Sequence, residues 1–332
     1  MSRAGGTHDV PDYASLRTRT GAPAGSSWGV FGEADDLGML NFLTPERTAA
    51  AAALVRTGEV FNLDYPINAF VPAIGGTRPP TRHTIFANNP NHRDDWLDSF
   101  YLQSTSQIDG LRHIRHPAAG FYNGVADAEI AEGGPRLGMQ HVAEHGIAGR
   151  GVLLDMPRYF AARGAEMSPR HPFRPADLDA AAAHQDVTFA PGDVLLLHTG
   201  WAERYLAMSA EERAARRGSP GLHQSEEMLA WLWDHKLALV AADNPGLESF
   251  PIDPESGFVF PDEQSPERGP SHNGMMHRPI LALLGLLIGE LWRLGDLADS
   301  CAADGRYEFL VTAKPLNLVG GVGSPPNAMA VK

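Results

Sequence analysis

The chain has a single cysteine, Cys301. That excludes an intramolecular disulfide and any zinc site built from cysteine pairs. No matched histidine base accompanies Cys301 in its segment, so it is read as structural. No apolar run reaches the roughly 18–20 residues that a membrane span needs. The richest run, residues 279–291, is too short and carries Glu290. The first ten residues, MSRAGGTHDV, lack the apolar core of a signal peptide. A cytoplasmic protein without membrane contact is therefore expected. Positive charge is also scarce: 27 Lys and Arg stand against 40 Asp and Glu, a net charge of −13. Nucleic acid is thus an unsuitable partner, because binding it requires cations to neutralise phosphates. No GxSxG elbow of a serine hydrolase occurs. The glycines near residue 320 lack the lysine of a phosphate-binding loop, and no internal repeat is present.

The 332 residues are 43% apolar and 20% charged, ordinary for a globular chain that buries most of its apolar surface. Fourteen histidines are the more telling count, since imidazole moves protons near neutral pH and binds metals. Residues 1–26 are rich in Gly, Ala, Ser and Arg without periodicity and read as an irregular arm. From residue 27 onward, helical and strand patterns alternate without a long linker, which predicts one α/β domain. Thr44 and Pro45 suit the cap and first position of a helix running toward Arg56 and stopped by Gly58, with a strand over 60–65. Apolar runs at 149–155, 194–199 and 237–241 read as buried strands, the first ending in Asp155 and the third leading to Asp243-Asn244-Pro245. Helices are expected over 178–185, from the Ser209/Glu212 capping box to Arg217, and over 225–235. A short helix over 278–284, ended by Gly285, should lead to an extended 286–290 and a helix over 291–301. One or two strands follow over 307–319, then a loop at 320–327.

The stretch Gln103-Ser104-Thr105-Ser106-Gln107-Ile108-Asp109-Gly110-Leu111-Arg112-His113 is the most informative. As a strand it would put Gln103, Thr105, Gln107 and Asp109 on one face. Gly110 would then let the chain turn and swing His113 back toward them. Oxygen donors beside an imidazole suit a hard or borderline divalent cation. A polar strand edge with a surface histidine fits the same spacing equally well.

These residues resemble a cyclase family that includes bacterial kynurenine formamidase and isatin hydrolase, whose signature reads HxGTHxDxxxH. Gln103 falls on its first His, Gln107 on its second, Asp109 on its Asp and His113 on its last His. Similar too are Leu43-Thr44-Pro45-Glu46, Leu54-Val55-Arg56-Thr57-Gly58, residues 149–155 and Pro191-Gly192-Asp193-Val194-Leu195-Leu196-Leu197-His198-Thr199-Gly200-Trp201. His277 and Glu290, thirteen apart, match a late "H…LL…G…E" segment, and residues 320–327 a closing "GGxGSPxN" loop. The likeness spans residues 30–330. Two signature histidines are glutamines here, which is similar to a subgroup running closer to "STQxDxLxH". His198 stands where the family usually has Arg, so nothing is carried over to it.

The resemblance implies a swivelling β/β/α fold and a homodimer or homotetramer. It implies a metal held by Asp109, His277 and Glu290. Gln107 either ligates or orients Asp109, and Gln103 is a weaker ligand candidate. His113 and His277 are the catalytic candidates, with His113 passing a proton to the leaving group. On one continuous helix His277 and Glu290 would lie about 140° apart; a break at Gly285 lets them converge. His272 is a substitute ligand, and His116 is peripheral. His83, near a polar loop over 88–95 that could cover the site, and Tyr122 and Asn123 are candidate substrate contacts. Two amides replacing imidazoles favour one divalent ion, Mn2+ before Zn2+ or Mg2+. The expected activity is hydrolysis of an amide, lactam, lactone or ester of a small molecule by metal-activated water. The alternatives are a metal-assisted lyase, dehydratase or cyclase at the same site, and a non-catalytic binding protein.

Overall fold

The computed structural model describes residues 10–72, 74, 76–215, 218–264 and 271–332. In chain order these form α1 (Tyr13–Thr18), α2 (Pro45–Ala52), β1 (Val60–Asn62), β2 (Arg82–Asn89), β3 (His92–Asp98) and β4 (Gln107–Asp109). Next come α3 (Met139–His145), β5 (Ile147–Asp155), α4 (Met156–Ala162), β6 (Pro172–Phe173), α5 (Pro175–His184), β7 (Val194–His198), α6 (Trp201–Ala207) and α7 (Ala210–Ala215). The chain continues through β8 (Gly221–Leu222), α8 (Glu226–Asp234), β9 (Leu239–Ala242) and β10 (Leu287–Glu290). It closes with α9 (Gly295–Asp304), β11 (Glu308–Ala313), β12 (Gly323–Ser324) and β13 (Ala328–Val331).

The apolar runs become the parallel centre of a nine-stranded mixed sheet, ordered β1-β13-β11-β5-β7-β9-β10-β4-β12. Strands β5, β7, β9 and β10 run parallel; β4 and β12 on one side and β11, β13 and β1 on the other are antiparallel. Leu195, Leu196 and Leu197 are fully buried. Each such side chain contributes roughly 1.5–3 kcal/mol relative to exposure. That is why continuous apolar runs can sit only in strands covered on both faces.

Helix starts follow their caps. Thr44 accepts from Arg47 N, Ser225 from Met228 N, and Ser209 and Glu212 exchange bonds as a capping box. Helix α2 ends at Ala52 rather than running to Arg56, and β1 stops at Asn62 rather than reaching residue 65. Arg217, the expected end of the helix after Ser209, lies outside the described residues.

The structure departs from the sequence expectation in four further places. The arm expected to be irregular contains α1, capped by Asp12, with Tyr13 and Leu16 buried in the main core. The expected polar loop at 88–95 belongs to a hairpin, β2–β3, in which nearly every residue is exposed. Within 103–109 only Gln107–Asp109 joins the sheet, because a turn, with Ser104 N donating to Tyr101 O, precedes it. Residues 291–294 are not helical. Leu291 has φ +55°, and Trp292 N and Arg293 N donate to Ala242 O and Leu63 O. The left-handed backbone at Leu291 breaks a right-handed helix at its first residue, and the tertiary bonds hold the segment in that path.

Candidate metal centre

Three elements converge at the end of β10. Strand β4 lies antiparallel on β10, with Gln107 opposite Glu290 and Asp109 opposite Ile288. Side chains two apart share a face, so Gln107, Asp109 and Glu290 project together. His277 precedes a π-helical turn, Pro279–Leu284, that Gly285 ends at φ +68°. A side chain there would be strained and would also meet Tyr122, 2.5 Å from an added Cβ. The reversal at Gly285 brings His277 back over β10. One ligand atom each from Asp109, His277 and Glu290 lie within 4.8 Å of one another, and all three residues are buried.

The surrounding bonds fix these groups. His277 Nδ1 lies 2.6 Å from Glu248 Oε1, and its Nε2 lies 3.0 Å from Glu290 Oε1. Glu248, itself buried, also accepts from the backbone N–H groups of Met276 and His277. A carboxylate behind one imidazole nitrogen leaves the other aimed at the site, as in metal centres where an outer carboxylate orients a ligating histidine. Burial alone would lower the His277 pKa, but the bonds to Glu248 and Glu290 outweigh it and push it up to about 10. Burial raises and the His277 contact lowers the Glu290 pKa, with a net lowering. Without an ion the ring therefore carries a proton, which a bound cation would displace.

The two glutamines behave differently from one another. Gln107 Nε2 donates to Glu290 Oε2 at 2.7 Å, while its Oε1 is buried with no hydrogen-bond partner among the described residues. An orphaned buried acceptor costs about 1–3 kcal/mol. A cation beside it would remove that cost, so these residues fit an oxygen-rich metal site. Gln103 Nε2 donates to Asp109 Oδ1 at 2.6 Å and to His113 Nδ1 at 2.9 Å. With Nδ1 accepting, the neutral His113 ring carries its proton on Nε2, 3.8 Å from Asp109 Oδ1. Gln103 thus orients an acid and an imidazole, reaching them from a turn rather than along a strand face.

His272 stands between the other two rings, its centroid 6.0 Å from His113 and 5.4 Å from His277. Burial and then the nearby His277 charge push its pKa down to about 3, so it is neutral. His116 packs edge-on against Phe260 instead.

The expected substrate contacts are engaged elsewhere. His83 sits on the exposed hairpin with Nε2 2.8 Å from Asp95 Oδ2. Tyr122 is buried and donates to Asp35 Oδ2. Asn123 accepts from Gly29 N and donates to the carbonyls of Gly32, Glu33 and Asp35. Both brace the segment 29–38 rather than facing the cluster. Glu248 was not foreseen: it lies 29 residues before His277, in a loop with no spacing signal.

A family model described as putative cyclase matches residues 61–249, more than half of the chain. The chain belongs to that family. A crystal structure described as a novel cyclase is 34% identical, covering 92% of this chain and 97% of that one, with a TM-score of 0.79. Isatin hydrolase A from Labrenzia aggregata, bound to benzyl benzoate, is 15% identical over 85% of this chain and 96% of its own, with a TM-score of 0.53. An isatin hydrolase bound to the product analogue thioisatinate is 13% identical over 87% and 99%, also at 0.53. These last two show the fold alone, and the swivelling β/β/α architecture expected from the sequence is the one observed. No curated protein matches the chain. Among the described residues no helix is long and apolar enough to cross a membrane.

Proposed function

We propose that this cyclase-family protein is a metal-dependent hydrolase acting on an amide, lactam, lactone or ester bond of a small molecule. The observation that carries the reading is the convergence of Asp109, His277 and Glu290 beside the unpartnered Oε1 of Gln107. Those four residues would hold one divalent cation, with Mn2+ favoured by the oxygen-rich set and Zn2+ or Mg2+ as alternatives. When bound, such an ion polarises a carbonyl and lowers the pKa of a water. Glu248 keeps the His277 ring turned toward the site. Gln103 holds the His113 ring with its Nε2–H free to donate a hydrogen bond to a departing nitrogen or oxygen. His272, neutral and between the two other rings, keeps charge off that side of the site. A homodimer or homotetramer is part of the same proposal.

The test is hydrolysis of lactam, lactone and formamide panels in 18O-labelled water by metal-loaded protein. Label in the product supports hydrolysis. Turnover without label makes the protein a lyase, dehydratase or cyclase instead. If protein purified without chelator holds no metal, and gains no thermal stability from added Mn2+ or Zn2+, both enzyme readings fail.

A further inference from the structure

A second group of side chains gathers at the same end of the sheet but around other strands. Asp155 ends β5, His198 ends β7, and Asp243 follows β9 directly. These strands are parallel neighbours, and Asp155 lies opposite His198 in register. Leu197 pairs with Ala242, which sets His198 beside Asp243. By alternation this row faces away from Glu290, because Gly289, not Glu290, pairs with Ala241. The two groups therefore occupy opposite faces of the sheet.

His198 Nδ1 lies 3.1 Å from Asp155 Oδ1, which leaves Nε2 pointing away from that carboxylate. It points toward Glu203 of α6, whose Oε2 is 3.8 Å from Nε2 and thus beyond hydrogen-bond reach. Glu203 Oε1 accepts from Tyr65 OH, but Oε2 is shielded from solvent without a hydrogen-bond partner among the described residues. Asp243 is wholly buried and accepts from Thr199 N and Ala202 N. Ligand atoms of His198, Glu203 and Asp243 all lie within 4.8 Å of one another.

The charges are unbalanced. Three carboxylates, Asp155, Glu203 and Asp243, face one imidazole. Arg158 pairs with Asp155 and with Asp299. Arg204 donates to Thr199 O. Neither arginine is paired with Glu203 or Asp243. The Glu203 side chain as a whole is 40% exposed, so the group is reachable from solvent although Oε2 and Asp243 are enclosed.

We infer that His198, Glu203 and Asp243 form a second divalent-cation site, with Asp155 orienting the His198 ring. One imidazole and two carboxylates suit Zn2+ or Mn2+. Asp155 behind Nδ1 stands to His198 as Glu248 stands to His277, the outer carboxylate that fixes which nitrogen ligates. The site joins the ends of β7 and β9 to the start of α6. It does not depend on the hydrolytic reading of the first centre.

The probe is Zn2+, added to protein stripped with chelator, with bound metal counted by elemental analysis after gel filtration. Wild type should hold two ions per chain, D109N one, E203Q one, and the double variant none. H198Q should match E203Q, which guards against a folding defect in either variant alone. In the D109N background Zn2+ should raise the melting temperature, and E203Q should abolish that rise. If E203Q and H198Q both hold as much Zn2+ as wild type, the group is an ion-pair network and the inference fails. If D109N binds no Zn2+ the inference also fails. A wild type holding one ion that E203Q loses and D109N keeps would support this site while overturning the first.

Discussion

Gln107 and Glu290 face each other across the β4–β10 pair, 183 residues apart in sequence, and the glutamine amide donates to the glutamate at 2.7 Å. That bond fixes which end of the amide faces Glu290. It leaves Oε1 buried and without a partner among the described residues, at the side of a three-ligand cluster. A glutamine here is therefore not a silent replacement for a histidine. It contributes an oxygen and stabilises the neighbouring carboxylate.

Gln107→Leu removes both contributions. We expect the affinity for Mn2+ to fall roughly 10- to 100-fold, the range seen when residues supporting a metal site are removed. Gln107→His exchanges the oxygen for an imidazole and should shift preference from Mn2+ toward Zn2+. Competition titrations against a chromogenic chelator would measure both. Equal Mn2+ affinity in wild type and Gln107→Leu would exclude Gln107 from the site.

Glu248 acts on His277 from behind. Glu248→Gln keeps an oxygen for one of the two backbone donors, turns an amide nitrogen toward the other, and loses the charge that holds Nδ1. Metal affinity should fall roughly 10- to 100-fold while the fold survives. Glu248→Ala should cost about 3–5 kcal/mol of stability, because it removes one of the two carboxylates that hold a buried charged ring. Urea unfolding of the chelator-treated proteins separates the two effects.

The two orienting pairs predict a pH dependence of the metal-free protein. His277 and His198 both have folded pKa values raised to about 10 from 6.5; in each, burial opposes the shift and adjacent carboxylates outweigh it. Between those values the native state holds protons that the unfolded state has released. Stability from these rings is therefore complete below about pH 6.5 and is lost as pH rises toward 10. The melting temperature of stripped protein should fall across that window. Saturating Zn2+ should flatten the fall, since a ligating ring has already lost its proton. A flat profile for the stripped protein would contradict the assignment.

Cys301 is fully buried in α9, and burial pushes its thiol up to about 12. Its thiolate is thus nearly absent at neutral pH. A chromogenic disulfide reagent should label no thiol in the native protein and one per chain in guanidinium chloride. Rapid labelling of the native state would mean that α9 opens readily.

Much of this was readable from the sequence, for physical reasons particular to each element. The strands β5, β7 and β9 were visible because a doubly covered strand must be apolar throughout. The reversal at Gly285 was anticipated because His277 and Glu290 cannot share one helix face. Gln103 was predicted beside Asp109, but on the wrong path. Residues 103–109 carry no apolar alternation, and a turn closes the gap instead. Leu291 to Leu294 looked helical from composition, yet Leu291 takes a left-handed backbone at φ +55° that no local pattern announces. Helix α1 had a legible signal in Asp12 followed by Tyr13 and Leu16, on one face, which the surrounding Gly, Ala and Ser obscured. Glu248 had none. Its role exists only because the loop after β9 folds back onto His277, a tertiary contact that no local pattern encodes. His198 was set aside because it departs from the family pattern, and that departure is what builds the second cluster.

Among the described residues β4 pairs only with β10 and β12. During translation Gln107 and Asp109 emerge long before either partner strand exists. A ribosome paused short of residue 287 holds a chain whose β4 has nothing to bind. An ion bound at this centre would therefore be captured only after Glu290 has been made. A nascent chain that stops short of residue 287 would lack both Glu290 and the strand against which Asp109 is placed.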